Sequence, residues 1–400
     1  MESCFPTSDR HNGRMNRIRI VVICVLAAFL MSGFVNPIGL ISEPVAETLG
    51  ISITAAVSAF GYFTVGVFVG YVISFYIFDY ISFKPVIMTG YCLLAAGIAL
   101  LYLVDDFISL SALLFCLGTL ASVEGCGAGT LISVTWQGRH RQVILIAQDA
   151  MFNGGGIVFT SLTTWFVASE FHWASTYSII GIVAVVLVGL AALTNLEPVV
   201  KQSGDEEPDT QWNPGVILVG VSMGMFMTAK ISIFIWAPQF AVERFNADVV
   251  SSGNLLTNVF IGAFTGSLIG TWLVSKIRIA YFLIMMLAIG TTGMWLLLSA
   301  DSLHSATLTA YLVGASVGAT YNGYTAFALS FVNQPTHKHI AYILTTGGIG
   351  SAIAPWLSSA GVEILGNIAD TLFACFLLQL LVLTNVILLN VYHSRLGTAR

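Results

Sequence analysis

Long apolar runs separated by short polar turns dominate the chain. A helix that crosses the hydrocarbon core of a bilayer needs about 20 apolar residues, and every run has about that length or more. The pattern therefore predicts an all-α polytopic membrane protein with twelve transmembrane helices. A transmembrane barrel would instead show segments of about 10 residues with alternating polarity. The predicted spans are approximately 18–42, 53–77, 85–104, 108–134, 143–168, 173–195, 214–242, 250–275, 279–299, 304–332, 340–362 and 368–391.

Composition supports the same class and argues against an enzyme. Only 9% of the 400 residues are charged, whereas soluble domains carry about 25%. The six cysteines form no C-x-x-C pair, so neither a disulfide framework nor a zinc site is expected. The sequence Gly314–Gly318 matches the G-x-S-x-G motif of hydrolases, but it lies in an apolar helix and not in a strand–turn–helix. There is no Walker A motif, and we expect no cofactor, metal or nucleic-acid partner.

The basic residues predict the orientation of the chain. Thirteen of the 15 Lys and Arg residues lie at the start of span 1, after span 12, or in every second loop between them. Since basic loops remain in the cytoplasm, both tails, 1–17 and 392–400, are expected there. The predicted location is the inner (plasma) membrane, with multiple passes.

A hydrophilic segment at 196–213 divides the spans into two groups of six. Its acidic, Pro-containing composition favours a flexible cytoplasmic linker between bundles at 18–195 and 214–391. Two short matches suggest that the bundles are repeats. Gly155-Gly156-Ile157 returns 192 residues later as Gly347-Gly348-Ile349, and Pro37 returns 201 residues later as Pro238.

Two ionisable residues are predicted near the middle of the membrane. Glu124 lies 18 residues after Asp106 in span 4, and Lys230 lies 17 residues after Asn213 in span 7. Ionisable groups in spans are rare and are functional candidates. Because burial disfavours a charged carboxylate, Glu124 is the candidate proton carrier and Lys230 a charge partner or anion contact. The alternatives are a fixed Glu124–Lys230 ion pair, or two side chains that each face water in a cavity.

Asp149 lies closer to the predicted cytoplasmic side. It is only eight residues after Arg141, which places it about 12 Å into the membrane at the helical rise. Two interpretations stay open: a coupling or substrate residue, or a gate residue that pairs with Arg139 or Arg141.

Uncharged polar residues suggest a cavity for a polar solute. Asn36-Pro37 interrupts span 1, and Pro238, near Gln239, is a position where span 7 could break, because proline lacks a backbone donor. The alternative for any single residue is a hydrogen bond between helices. The glycines of G-x-x-x-G at Gly125 and Gly129 predict close helix packing. The candidate cavity residues are Asn36, Asn153, Asn258, Tyr321, Asn322 and Gln239.

Several segments resemble those of known transporters. The layout resembles the major facilitator superfamily, and Ser58–Phe63 with Glu124 is similar to its fucose permease (fucose:proton symporter) group. A closer likeness is to TsgA-like transporters of that group. It is carried by Gln137-Gly-Arg139-His-Arg141, Asp149-Ala-Met-Phe152, Trp236-Ala-Pro238-Gln-Phe240 and Ile343–Gly350. This resemblance implies the major facilitator fold, with two six-helix bundles, and a proton-coupling role for Glu124.

The sequence departs from the superfamily in two places. The loop 2–3 signature D-R-x-G-R-K/R is reduced to Asp79-Tyr-Ile-Ser-Phe-Lys84, so Asp79 and Lys84 keep only the acid and the last base of that gate. Span 1 has no carboxylate in its middle, so fucose specificity is not carried over.

Together these observations predict a secondary active transporter that works by alternating access. The expected partners are a small polar substrate, protons and the lipid bilayer, and we expect a monomer. The alternative is a proton-driven efflux antiporter for drugs or metabolites, with a more apolar cavity. A non-transporting membrane sensor is the remote alternative, because it would need a sizeable soluble module.

Overall fold

The chain folds into helices joined by short turns. A computed structural model describes residues 7–136, 138–196, 212–274, 276–318, 320–332 and 337–398. Within those ranges the regular elements are fourteen α-helices and one short 3₁₀ turn at Leu101–Leu103. The helices are α1 (Thr7–Val35), α2 (Ile38–Leu49), α3 (Ile53–Tyr80), α4 (Phe83–Leu100), α5 (Phe107–Thr135), α6 (Gly138–Ala168), α7 (Ser175–Ala192), α8 (Pro214–Phe245), α9 (Val249–Val274), α10 (Ile279–Leu298), α11 (Leu303–Val317), α12 (Thr320–Leu329), α13 (His337–Leu365) and α14 (Ile368–Thr398).

The helices follow the predicted spans, with two breaks. Nine helices of the described residues are long and apolar enough to cross a membrane. Span 1 is divided between Val35 and Ile38, which confirms the predicted interruption at Asn36-Pro37. Span 10 is divided between α11 and α12, which no sequence signal predicted. Pro238, where span 7 could have broken, leaves the helix intact, because α8 continues through that residue to Phe245.

Hydrogen bonds between helix ends define two faces of the molecule. Asn16 of α1 bonds Asn195 at 3.0 Å, and the Lys84 Nζ atom of α4 donates to the Ala192 carbonyl at the end of α7 at 2.8 Å. We call this side, where α1 begins, the terminal face. On the opposite side, the far face, Gln239 of α8 donates to a Glu43 carboxylate oxygen of α2 at 3.2 Å.

Two helix pairs pack with their backbones in contact through glycines at matching positions. A Cβ atom on Gly66 or Gly118 would collide with a backbone carbonyl across the α3–α5 interface. A Cβ atom on Gly262 or Gly314 would do the same across the α9–α11 interface. Gly262 lies 196 residues after Gly66, and Gly314 lies 196 residues after Gly118. The contacts therefore repeat at an interval of 196 residues, which differs from the intervals of 192 and 201 in the sequence matches.

The described residues give no support to the predicted packing role of Gly125 and Gly129. Among them, no atom lies within 4 Å of a Cβ atom added to either glycine. The close contact of α5 is made seven residues before Gly125, at Gly118. A G-x-x-x-G pattern shows that one face of a helix is narrow, but not that a neighbour covers that face.

Candidate functional site

Glu124 lies in the interior, between α5 and α4. Its side chain is 2% exposed, and neither carboxylate oxygen has a hydrogen-bond partner among the described residues. The carboxylate fills the space above Gly90, where any Cβ atom would overlap it. Lys230 therefore makes no hydrogen bond to Glu124 here, and the carboxylate does not face an open cavity.

Lys230 lies in an aromatic cluster between the two halves of the chain. Its Nζ atom is 5.6 Å from the centre of the Phe234 ring, within the range of a cation–π interaction. Phe234 contacts Phe260 of α9 edge to face, with ring centres 4.9 Å apart. Phe260 in turn packs so closely on Gly156 of α6 that a Cβ atom there would lie 2.5 Å from its ring. Lys230 is therefore a neighbour of the interface between the halves.

Asn36 borders the same cluster at the break between α1 and α2. Its amide nitrogen donates to the Ser32 hydroxyl at 2.7 Å, and it would lie 2.9 Å from a Cβ atom on Gly156. The side chain is 1% exposed, and its Oδ1 atom has no partner among the described residues. Buried amide oxygens nearly always accept a hydrogen bond, so this oxygen is a candidate contact for water or a polar solute.

The other predicted cavity residues divide into two sets. Asn153 of α6 donates to the Ser267 hydroxyl of α9 at 2.9 Å, and Gln239 reaches Glu43; both bonds cross between the halves. Asn258 instead donates to the Thr307 carbonyl of α11 at 2.7 Å, within the C-terminal half. Asn258 thus makes the interhelical hydrogen bond that was the alternative to a cavity role.

Tyr321, on α12 of the C-terminal half, is half-buried. Its role as a contact for a solute stays a prediction.

Only one predicted gate residue has a described side chain. Lys84 donates to the Ala192 and Thr194 carbonyls at 2.8 and 3.2 Å, so it caps the end of α7, where a cation is favourable. The linker residues 197–211 and the side chains of Asp79, Arg139, Arg141, Asp149 and Asn322 lie outside the described part of the chain. Their roles stay predictions.

The two halves meet along two seams, which we name by their helices. In the α6–α9 seam, the Thr160 and Thr257 hydroxyls are 3.0 Å apart. In the α3–α13 seam, the Thr64 hydroxyl donates to the Ala352 carbonyl at 3.1 Å, and Trp356 packs on Gly61. These contacts lie in the far-face half of the helices, so this structure is closed on the far face.

Three residues of this region were not recognised from the sequence. Gly90, which makes room for Glu124, lies 34 residues away along the chain. Ser267 is an ordinary hydroxyl in an apolar run, and it carried no signal. Glu43 is one of 20 acidic residues in the chain, and its place in the sequence did not point to Gln239.

Comparison with known proteins agrees with this architecture. The profile of the Major Facilitator Superfamily matches residues 21–355. A protein TsgA homolog of Edwardsiella ictaluri is 24% identical over 84% of this chain and 86% of its own. A TsgA homolog of Yersinia pestis is 22% identical over 91% of this chain and 95% of its own. These relatives confirm the predicted TsgA-like resemblance.

A solved structure shows the same fold. A bacterial homolog of the human lysosomal transporter Spinster, in an inward-facing and unoccupied conformation, superposes with a TM-score of 0.69. It is 13% identical and covers 94% of this chain and 97% of that chain. At this identity the likeness concerns the fold alone.

Proposed function

We propose that this chain, which belongs to the Major Facilitator Superfamily, couples the transport of a small polar solute to protons. The family makes it a secondary transporter of the membrane and not an enzyme. Protons as the coupling ion and a small polar solute as the substrate are what we propose beyond the family. The two tails are proposed to lie in the cytoplasm and the protein in the inner membrane, on the distribution of basic residues.

One observation carries the proton proposal: the buried Glu124 carboxylate has no hydrogen-bond donor on either oxygen among the described residues. An isolated charge in such a place is strongly unfavourable, whereas a protonated carboxyl is neutral. Glu124 therefore takes up a proton in this conformation. It gives the proton up when a conformational change brings water or a cation to the carboxylate.

The solute is proposed to bind between the halves, near Lys230 and Asn36. Lys230 supplies a positive charge beside Phe234, and the Asn36 amide oxygen is available to a donor. Both groups lie at the interface that must rearrange in alternating access, so a solute bound there has different contacts in the two states. Glu124 makes no hydrogen bond to either group, so proton and solute are proposed to bind at different groups.

Transport by purified protein in liposomes tests this function. A panel of labelled sugars, amino acids and organic acids is offered with and without an inward proton gradient. Uptake of at least one solute is expected to accelerate with the gradient, and Glu124→Gln is expected to abolish the acceleration. Glu363→Gln, an exposed carboxylate near the far face, is the matched control and keeps it. Accelerated uptake that persists in Glu124→Gln overturns the proton role.

A second candidate, proton-driven efflux of apolar compounds, is favoured by one feature. Exposed apolar side chains continue the α3–α13 seam towards the terminal face, among them Phe68 at 39% and Ile349 at 46% exposure. Cells that express the protein would then tolerate higher concentrations of lipophilic cations, and Glu124→Gln would remove that tolerance. If expression of the protein leaves the tolerance of the cells unchanged and the purified protein takes up a polar solute in liposomes, the result favours proton-coupled transport of a polar solute.

A further inference from the structure

We infer that Ser267 is a positioning residue that makes the α6–α9 seam the hinge of the transporter, so that the halves part along the α3–α13 seam. The inference rests on the alternating access of the proposed function. It concerns which side of the molecule opens, and it is independent of proton coupling. The 196-residue interval defines equivalent positions in the two seams.

The seams match near the far face. Thr160 and Thr257 touch through their hydroxyls at 3.0 Å, and the equivalent residues of the other seam, Trp356 and Gly61, are also in contact. One turn further, Phe260 packs on Gly156, and the equivalent residues Thr64 and Ala352 share a hydrogen bond. Down to this level the two seams are equally closed.

The seams differ at the next turn. In the α6–α9 seam, Asn153 and Ser267 are each 5% exposed and are joined by a 2.9 Å hydrogen bond. The equivalent residues of the α3–α13 seam are Ile349 and Tyr71, which are 46% and 42% exposed. The α6–α9 seam therefore stays closed for one more helical turn towards the terminal face. At the same level the α3–α13 seam is open.

Neighbouring residues show the same opening of the α3–α13 seam. Phe68 and Val72 follow Thr64 by four and eight residues, so they lie on the side of α3 that faces α13. Val72 is 45% exposed. On α13, a Cβ atom added to Gly348, four residues before Ala352, would meet no atom of the described residues within 4 Å. In the described part of the chain, both helices are thus uncovered on the sides that face each other.

Ser267 is placed to hold the closed seam. Its hydroxyl donates to the Ala263 carbonyl of its own helix at 2.9 Å and accepts from Asn153. It also lies against Gly318, where a Cβ atom would be 2.5 Å from the hydroxyl oxygen. Gly318 directly follows α11, at the break before α12. One side chain therefore connects α6, α9 and the break in span 10.

Cross-linking between equivalent residue pairs tests the hinge. Phe152→Cys with Leu268→Cys spans the α6–α9 seam, and Gly348→Cys with Val72→Cys is the same pair 196 residues away. Each pair is placed in a full-length chain whose six native cysteines are replaced. It is then treated in liposomes with thiol-reactive cross-linkers of graded length. We expect the shortest reagent to bridge the α6–α9 pair and only longer ones to bridge the α3–α13 pair.

The hydrogen bond from Asn153 to Ser267, which we call the Ser267 clasp, can be removed by substitution. This separates a positioning role of Ser267 from a role in packing alone. Ser267→Ala is expected to shift the α6–α9 pair to longer reagents and to leave the α3–α13 pair unchanged. Asn153→Ala removes the donor of the same bond and must act alike, so it carries the test if Ser267→Ala does not fold. Thr265→Ala is the control, because its hydroxyl bonds Tyr311 within the C-terminal half. Equal reagent lengths for the two pairs, or no shift in both clasp variants, would overturn the inference. Neither readout needs a substrate or a pH gradient, so failure here leaves the Glu124 test standing.

Discussion

The two halves of the chain share a scaffold but differ in the residues that they place near the middle of it. The glycine contacts of α3 with α5 recur in α9 with α11, and the residues that cap α5 and α11, Asp106 and Ser302, are also 196 residues apart. Glu124 of α5 corresponds by the same interval to Thr320. Glu124 is buried without a partner among the described residues, whereas the Thr320 hydroxyl donates to the Ser316 carbonyl one turn earlier.

This difference separates structural duties from the proposed chemistry. A side chain larger than glycine would collide with a backbone carbonyl at these contacts. The α3–α5 and α9–α11 contacts are therefore the same in the two halves. The helices differ here: α5 continues through Glu124, whereas α11 ends at Val317 and α12 begins at Thr320. The N-terminal half thus presents a titratable group within a continuous helix, and the C-terminal half has a helix end beside Ser267.

The largest effect is expected where the scaffolds are most alike. Gly118→Ala and Gly314→Ala each place a methyl group against a backbone carbonyl, which cannot move as a side chain would. Overpacking of this kind costs about 1–3 kcal/mol, and the two variants should lower the thermal unfolding midpoint by similar amounts. Gly125→Ala is the control on α5, since its methyl group would meet no atom within 4 Å. Unequal losses at 118 and 314 would contradict the equivalence of the two pairs.

A smaller loss is expected at Gly90, where the obstacle is a side chain. Gly90→Val overlaps the Glu124 carboxylate, so both stability and proton-driven uptake should fall. Adding Glu124→Ala to this variant frees the space and should restore part of the stability, because residues in contact are not additive. Met286→Val, at the position equivalent to Gly90 in α10, should not interact with Glu124→Ala. The four unfolding midpoints of each double-mutant cycle measure this, and additive losses for Gly90→Val would place the carboxylate elsewhere.

The smallest effect is expected at the N-terminal caps of α5 and α11, Asp106 and Ser302. Backbone hydrogen bonds from Ser109 and Ile108 hold the pKa of Asp106 below its ordinary value. A lowered pKa stabilises the fold above the pKa of the unfolded carboxyl, and this stabilisation is lost as the pH falls through the lowered value. Asp106→Ser should therefore lower the unfolding midpoint at neutral pH, and this loss should shrink as the pH falls through the acid range. Ser302→Ala should cost about 0.5–2 kcal/mol equally at every pH. A pH-independent loss in Asp106→Ser would contradict the assignment.

The sequence predicts most of the scaffold, because the apolar runs have the length of a membrane span. The interruption at Asn36-Pro37 was predictable for the same kind of local reason, the missing donor of proline. The 196-residue interval was not, because it depends on which few of the 38 glycines face another backbone. For the same reason, the G-x-x-x-G pattern at Gly125 and Gly129 does not show which neighbour those glycines face.

The candidate site was predictable only in part. Glu124 stands out in the sequence as a charge in an apolar run, but the space that Gly90 provides for it depends on how α4 packs on α5. The clasp of Asn153 and Ser267 joins residues 114 positions apart, and a single serine in an apolar helix gives no indication of it. Local patterns indicate what is unusual, while partners are set by tertiary packing.

Glu124 is proposed to carry a proton that it exchanges during transport. Infrared difference spectra of the protein in lipid, recorded between acidic and alkaline pH, report on the protonation of this carboxyl group. The prediction is a carbonyl-stretch band of a buried carboxylic acid that disappears at alkaline pH, is absent in Glu124→Gln and is retained in Glu363→Gln. A band that is unchanged in Glu124→Gln, or a wild-type spectrum without any such band, would contradict the claim.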